Sequence, residues 1–369
     1  MARVRLGEVA TERRETHKGS KSGYPVVGLE HLISENINLS MWDESGVNTF
    51  TKMFHKGDVL FGRRRAYLKK AVIAPFDGIC SGDITVIVSR PEYILPELLP
   101  FVIQNEAFFD YAVGKSAGSL SPRVKWEYLR EYEFDLLAMD EQRKLARVLW
   151  AVNDTIEAYK RLMSATEELV RGQFAEMYDN GKYPYMMLSD LSEQWLKGQP
   201  FKKDDMIEDG KIPCIHYGEL FTKYGPIIEN ILSRTNRNMI RTSKKGDILF
   251  PASDVTTTGL TRCSALMSDG ILLGGDIIIL RLKSGFCPEY VSEAICCQRR
   301  QLLSRITGSL IRHLSANALK TVKIPIPSYD LQQQFADFVH QADKSKSSLQ
   351  KALTAARNIS RKIISDNLK

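Results

Sequence analysis

A chain of 369 residues, 43% hydrophobic and 26% charged, is long enough for two or three domains, each with its own core, and has the composition of a soluble globular protein. Its longest apolar runs, such as Asp276-Ile277-Ile278-Ile279-Leu280, fall far short of the ~18 residues a bilayer span needs, and Met1 to Val9 carries no apolar signal core, so neither a membrane span nor secretion is expected. A net charge of +7 permits a nucleic-acid partner without requiring one.

In chain order, the first ~140 residues are mixed. Short β-like runs, Tyr24 to Gly28, Gly57 to Phe61, Lys70 to Pro75 and Asp83 to Val88, are punctuated by turn residues; Gly-Asp ahead of an apolar β-branched run is turn chemistry feeding a strand. A helical stretch from Pro96 to Val113 follows, then a short strand at Glu133 to Leu137. From Asp140 to Asp179 there is no proline and one glycine, Gly172, and the apolar residues (Leu145, Val148, Leu149, Val152, Ile156 and onward) fall mostly at three-and-four spacing, which predicts a single long helix. A second mixed region then carries strands at Ile212 to Ile215, Asp247 to Phe250 and Asp276 to Leu280, helix from Glu289 to Ile306, and a strand at Val322 to Ile326. After Pro327 a second long apolar stripe runs from Phe335 to Leu368. At 1.5 Å per residue each long helix extends roughly 55–60 Å, too far to lie inside one small domain. Each either pairs with the other or packs back on its own domain; stripe length favours the pair.

This order is a duplication. Gly118-Ser119-Leu120 returns as Gly308-Ser309-Leu310, and Asp140 to Ala146 returns in outline as Asp330 to Ala336, both 190 residues on. Lys56 to Phe61 matches Lys245 to Phe250 at 189, and Ser81-Gly82-Asp83-Ile84 matches Gly274-Gly275-Asp276-Ile277 at 193. Solenoid units are only ~20–50 residues, so a whole domain has been repeated. Charge is uneven between the copies: residues 1–138 hold 18 basic and 18 acidic side chains, residues 181–327 hold 20 and 14.

No catalytic constellation emerges. Gly114-Lys115-Ser116 lacks the earlier glycine of a phosphate loop, since position 109 is Phe. Asp209-Gly210-Lys211 reads as a turn. The six histidines form no metal-spaced pair, and the six cysteines, with no CxxC, read as reduced thiols of a cytoplasmic protein. What the chain does carry is polar clusters at matching places. Arg63-Arg64-Arg65 with Lys69-Lys70 follows the first Gly-Asp strand, either a solvated hairpin tip or a contact to phosphates and guanine edges. The second copy has Thr256-Thr257-Thr258 and Arg262 there, either a different reading chemistry on the same framework or a loop that has drifted without a function. After the Gly-Ser-Leu segments come Arg123 and Lys125 in one copy and Arg312 and His313 in the other, at what read as helix starts. Lys244 and Lys245 form a weaker cluster.

Two variable β-rich regions, each trailed by a long helix opening on Asp140-Glu141-Gln142 or Asp330-Leu331-Gln332, resemble the specificity subunit of type I restriction–modification systems; the Lys-Gly-Asp-Val/Ile-Leu-Phe and Gly-Ser-Leu segments add to the likeness, which spans nearly the whole chain. The resemblance implies an α+β fold in which two duplicated β-rich target recognition domains (residues 1–138 and 181–327) are joined by an antiparallel two-helix coiled coil (139–180 and 328–369) with pseudo-two-fold symmetry. It implies a non-catalytic subunit that reads a split site on double-stranded DNA, one half per domain, with the helices setting the gap. The implied partners are two methyltransferase subunits and restriction subunits; S-adenosylmethionine, ATP and Mg²⁺ are expected on those partners and no cofactor in this chain. Leu331 departs from the acidic residue expected beside Gln332. The alternative is a structural adaptor holding two protein partners without reading DNA.

Overall fold

The computed structural model describes residues 2–19, 23–44, 49–178, 180–238, 240 and 243–369. Met1 and Asp179, which bounded two of the segments read above, lie outside the described residues. The chain divides into two compact units, Met1–Arg161 with Gln350–Lys369, and Leu162–Leu349.

The first unit is organised around the strand that follows Lys56-Gly57-Asp58. Gly57 takes φ +93°, a left-handed conformation costly for a residue with a Cβ. Asp58 closes the turn by accepting from the His55 N–H at 2.8 Å, and its carboxylate takes the Arg13 guanidinium at 2.7 and 3.1 Å. The strand it launches, Val59–Gly62, lies between Ile84–Ser89 and Ala71–Ile73, with Ala10–Glu12 beyond Ile84–Ser89, all antiparallel. Alternation sends Val59, Phe61, Ala71 and Ile87 into one core and Leu60, Val72, Val86 and Ile84 into another, so the central strands are apolar on both faces. The second core is closed by a three-stranded sheet in which Gly78–Cys80 runs parallel to Val26–Val27 and antiparallel to Lys52–Phe54. Ala2–Arg5 pairs with Glu133–Leu136 as a separate ribbon.

The second unit repeats the plan. Gly246 has φ +90°, Asp247 accepts from the Lys244 N–H at 2.8 Å, and Arg281 clasps its carboxylate at 2.9 and 2.8 Å. Asp247–Pro251 lies between Ile277–Leu282 and Ser264–Leu266, flanked by Ser192–Lys197 on one side and Ile227–Ile228 on the other. Ile248, Phe250 and Leu280 face one core; Leu249, Ile277 and Ile279 face the other. The three-stranded sheet differs in one respect: Ile212–Ile215 pairs parallel with Leu272–Leu273, but the third strand, Ser233–Thr235, adds to Ile212–Ile215 rather than to the other member.

The two helical stretches expected as continuous are each broken. Pro96 to Val113 forms Leu99–Ile103 and Glu106–Gly114, because Asn105 adopts an extended backbone and caps the second helix through the Ala107 N–H. Its amide N–H₂ donates to the Leu368 carbonyl at 2.6 Å. Glu289 to Ile306 likewise forms Pro288–Cys297 and Arg299–Leu303.

Single helices occupy Met139–Met177 and Tyr329–Asn367. Both start on a buried glutamine. Gln142 Oε1 accepts from the Leu95 N–H while its Nε2 donates to the Tyr93 and Leu137 carbonyls; Gln332 Oε1 accepts from the Cys287 N–H and its Nε2 donates to Pro327. Within the first unit Leu145 and Leu149 share a core with Ile364 and Leu368. Within the second, Tyr178 Oη donates to the Leu331 carbonyl at 3.0 Å, Phe174 meets Phe335, and Glu167 meets Lys346 at 2.9 Å, an antiparallel sequence of contacts. Within each unit, residues of the two helices therefore meet one another and the local core together.

Candidate nucleic-acid interface

In the first unit the two polar clusters come together. Arg63 follows the central strand; its N–H donates to the Asp83 carbonyl and its own carbonyl accepts from the Val124 N–H, both at 3.0 Å. Arg64 bridges to Arg123, and the Arg65 N–H donates to Pro122 at 2.8 Å. Residues 63–65 and 122–124 thus form one short ribbon, with the Asp83 carboxylate beneath it. Arg123 donates to that carboxylate at 2.7 and 3.3 Å and Arg64 at 3.5 Å, while Arg64 Nε donates to Ser121 Oγ at 2.5 Å. The hydrogen bond from Arg123, ahead of the charge of Arg64, holds the Asp83 carboxyl below its ordinary range.

The remaining cations divide. Arg63 Nε is buried with no hydrogen-bond partner among the described residues. Arg65 is exposed, in a left-handed backbone at φ +55°, and its side chain has no partner among the described residues. Lys125 is exposed at the start of the helix Trp126–Leu129. The structure turns Lys69 and Lys70 elsewhere: Lys69 pairs with Glu106 and Lys70 Nζ donates to the Leu29 carbonyl at 2.7 Å. A helix does start beside Arg123 and Lys125, at Trp126–Leu129, and in the other copy Ser315 caps Ala316–Lys320; Ser121 accepts from Arg64 instead of capping a helix.

The second unit builds the same junction from other side chains. Ala252 stands in for Arg63, donating to the Asp276 carbonyl at 2.8 Å and accepting from the Leu314 N–H at 2.9 Å. Ser253 pairs with His313 and Asp254 with Arg312. Thr256 caps the helix Thr257–Leu260, its hydroxyl donating to Asp254 Oδ2 at 2.5 Å and accepting from the Gly259 N–H. Thr257 is half-buried, Thr258 exposed, and the Arg262 and Arg312 side chains have no hydrogen-bond or ion-pair partner among the described residues. Lys244 and Lys245 are not part of this junction. They sit at the Gly-Asp turn, at the other end of Asp247–Pro251 and roughly 20 Å away along the strand.

Chemically, the first ribbon offers guanidinium forks suited to phosphate or guanine, and the second offers threonine hydroxyls and methyls beside two arginines and a histidine. Sequence reasoning found the cations but missed Asp83 and Ser121, which brace Arg64 and Arg123, and Asp254, which holds the Thr256 hydroxyl. The signal for Asp83 was present in its match to Asp276, which read only as framework.

Residues 173–356 match the family described as the type I restriction modification DNA specificity domain. The Escherichia coli type I restriction enzyme EcoDI specificity subunit is 29% identical over 139 residues, 36% of this chain and 31% of that protein, so the chain spans about a third of the length of that curated relative. Two solved chains share the fold. One belongs to a study of complex assembly and conformational transition of the type I R-M system (TM-score 0.53, 17% identity, covering 99% of this chain and 97% of that one). The other is the type I restriction-modification S subunit from M. genitalium (TM-score 0.57, 14% identity, 98% and 94%). The α+β plan and these matches agree: residues 173–356 are similar to the type I restriction modification DNA specificity domain, and the whole chain shares its fold with these two solved chains.

Proposed function

We propose that this chain is the non-catalytic specificity subunit of a type I restriction–modification complex, and that each β-rich region, residues 1–138 and 181–327, reads one half of a split DNA site. The long helices, residues 139–180 and 328–369, act in this reading as an antiparallel coiled coil that fixes the gap between the halves and docks two methyltransferase subunits; restriction subunits join that assembly. S-adenosylmethionine, ATP and Mg²⁺ belong to those partners. The observation that carries the reading is the junction built twice on one backbone pattern with different side chains: Arg63, Arg64 and Arg123 over Asp83 in one copy, Ala252, Ser253 and His313 beside Asp276 in the other. A conserved frame presenting exchanged polar groups is what two readers of unlike half-sites require, because base edges are told apart by donor and acceptor pattern. A protein-holding adaptor needs no such exchange.

Methylation mapping of the host genome, with and without this chain, tests the reading. A split adenine-modified motif that vanishes on deletion is expected, and exchanging residues 181–327 for those of a relative should alter one half of the motif and leave the other. An unchanged methylation pattern on deletion, or both halves altered by the exchange, would count against it.

A further inference from the structure

The Gly-Ser-Leu segments stand just outside the junction and are built alike. In the first unit Ala117 and Arg123 exchange two backbone hydrogen bonds of 2.9 Å, closing a five-residue tip that begins at Gly118 with φ +116°. In the second, Thr307 and His313 do the same at 3.0 and 2.8 Å, and Gly308 has φ +91°. A Cβ on Gly308 would lie 2.2 Å from the Ile311 carbonyl oxygen, so that glycine is required by the tightness of the tip. On the two tips sit Leu120, 90% exposed, and Leu310, 87% exposed, the two most exposed large hydrophobic side chains among the described residues.

We propose that Leu120 and Leu310 are apolar wedges that enter the DNA duplex beside each junction and unstack one base step apiece. The inference rests on the DNA-reading function above and adds to it a deformation of the site. Three observations argue for duplex DNA as the occupant. The same apolar residue is left in water twice, at matching places, on a tip whose backbone is held rigidly from behind. Each tip is flanked by arginines: Arg123 and Arg65 are tied to the first ribbon, and Arg312, next to His313, forms the base of the second. A surface that pairs one protruding leucine with phosphate-binding groups matches the way minor-groove and architectural proteins insert leucine or isoleucine between base pairs while cations hold the backbone. A stable protein partner needs ~800 Å² on each side, far more than one leucine on a narrow tip supplies.

The test uses the full-length chain and a duplex enriched on it from a random-sequence pool, carrying 2-aminopurine at successive positions. Wild-type binding should raise fluorescence at one step in each half of the enriched sequence. Leu120→Ala should abolish one of these signals and Leu310→Ala the other, each weakening binding about tenfold while the salt dependence stays the same. Leu120→Met, which keeps an apolar side chain of similar volume, should preserve the signal and shows that loss in the alanine variant is not misfolding. Fluorescence rises that persist in both alanine variants, or that never occur while salt-dependent binding is intact, overturn the wedge and leave the DNA-reading function standing. Alanine variants that bind DNA normally but no longer capture methyltransferase subunits overturn it in favour of a protein contact. Failure of the wild-type chain to enrich any duplex overturns both.

Discussion

At the residue scale, the most informative atoms are carboxylates. Asp83 ties Arg64 and Arg123 into the first ribbon, so Asp83→Asn should do two things at once: lower stability by about 1–2 kcal/mol through loss of a charge-assisted pair, and release guanidinium charge toward a polyanion. Urea denaturation should register the first effect; a steeper dependence of DNA affinity on salt, by about one or two phosphates, should register the second. Glu293 presents the opposite case. It is buried in the second unit, and burial, with the negative charge of Asp343 behind it, pushes its pKa up to about 7 against the partial relief from Lys346 and Arg171. An acid that holds its proton more tightly when folded costs stability once the unfolded chain ionises it, so this group's contribution falls as pH rises from about 4.5 to about 7 and is level outside that window. Glu293→Gln should flatten that part of the melting-temperature profile between pH 4.5 and 7, as calorimetry can show; a profile identical to wild type would mean the carboxyl is solvated. The sequence marked Asp83 only through its match to Asp276, and neither its pairing nor the burial of Glu293 was legible there. Asp83 lies 40 positions from Arg123, and Glu293 looks like any helix-surface acid until neighbours close over it.

At the element scale, much was legible, and the reason is that local chemistry decides it. Lys-Gly-Asp announced two strands because glycine permits the left-handed turn and aspartate closes it, as Gly57 with Asp58 and Gly246 with Asp247 do. What the motif could not show is the arginine that completes it, since Arg13 comes from just after Ala10–Glu12 in one unit and Arg281 from within Ile277–Leu282 in the other. The long helices were readable from apolar spacing alone, while the break at Asn105 was not, because its amide reaches a carbonyl 263 residues away. Gln142 and Gln332 are the clearest case of a pattern noticed before its cause was visible. Each fills the same role, accepting from one loop N–H and donating to carbonyls near its helix start. Gln142→Ala or Gln332→Ala leaves a buried backbone N–H unsatisfied, at Leu95 or Cys287, and should cost about 1–3 kcal/mol apiece. Chemical denaturation of each single variant checks this; Gln→Glu should be no milder, since a buried carboxylate cannot donate to those carbonyls.

At the scale of the whole molecule, the proposed function turns the long helices into a measuring device, and a device of this kind fails in a calculable way. Inserting four residues in the middle of the helix Met139–Met177, with a matching four in Tyr329–Asn367 to keep the antiparallel pairing, adds ~6 Å of rise and ~40° of rotation. Successive base pairs are ~3.4 Å apart along the duplex, so the gap between half-sites should lengthen by about two base pairs while the bases read at either end stay the same. The two quantities separate because the junctions at Arg63–Arg123 and Ser253–His313 are each assembled from strands of their own unit and involve no residue of either long helix. Methylation mapping reads both in one experiment. A gap that does not move after the paired insertion would deny the helices their ruler role, and half-site sequences that change with it would mean that reading and spacing are not carried by separate parts of the chain.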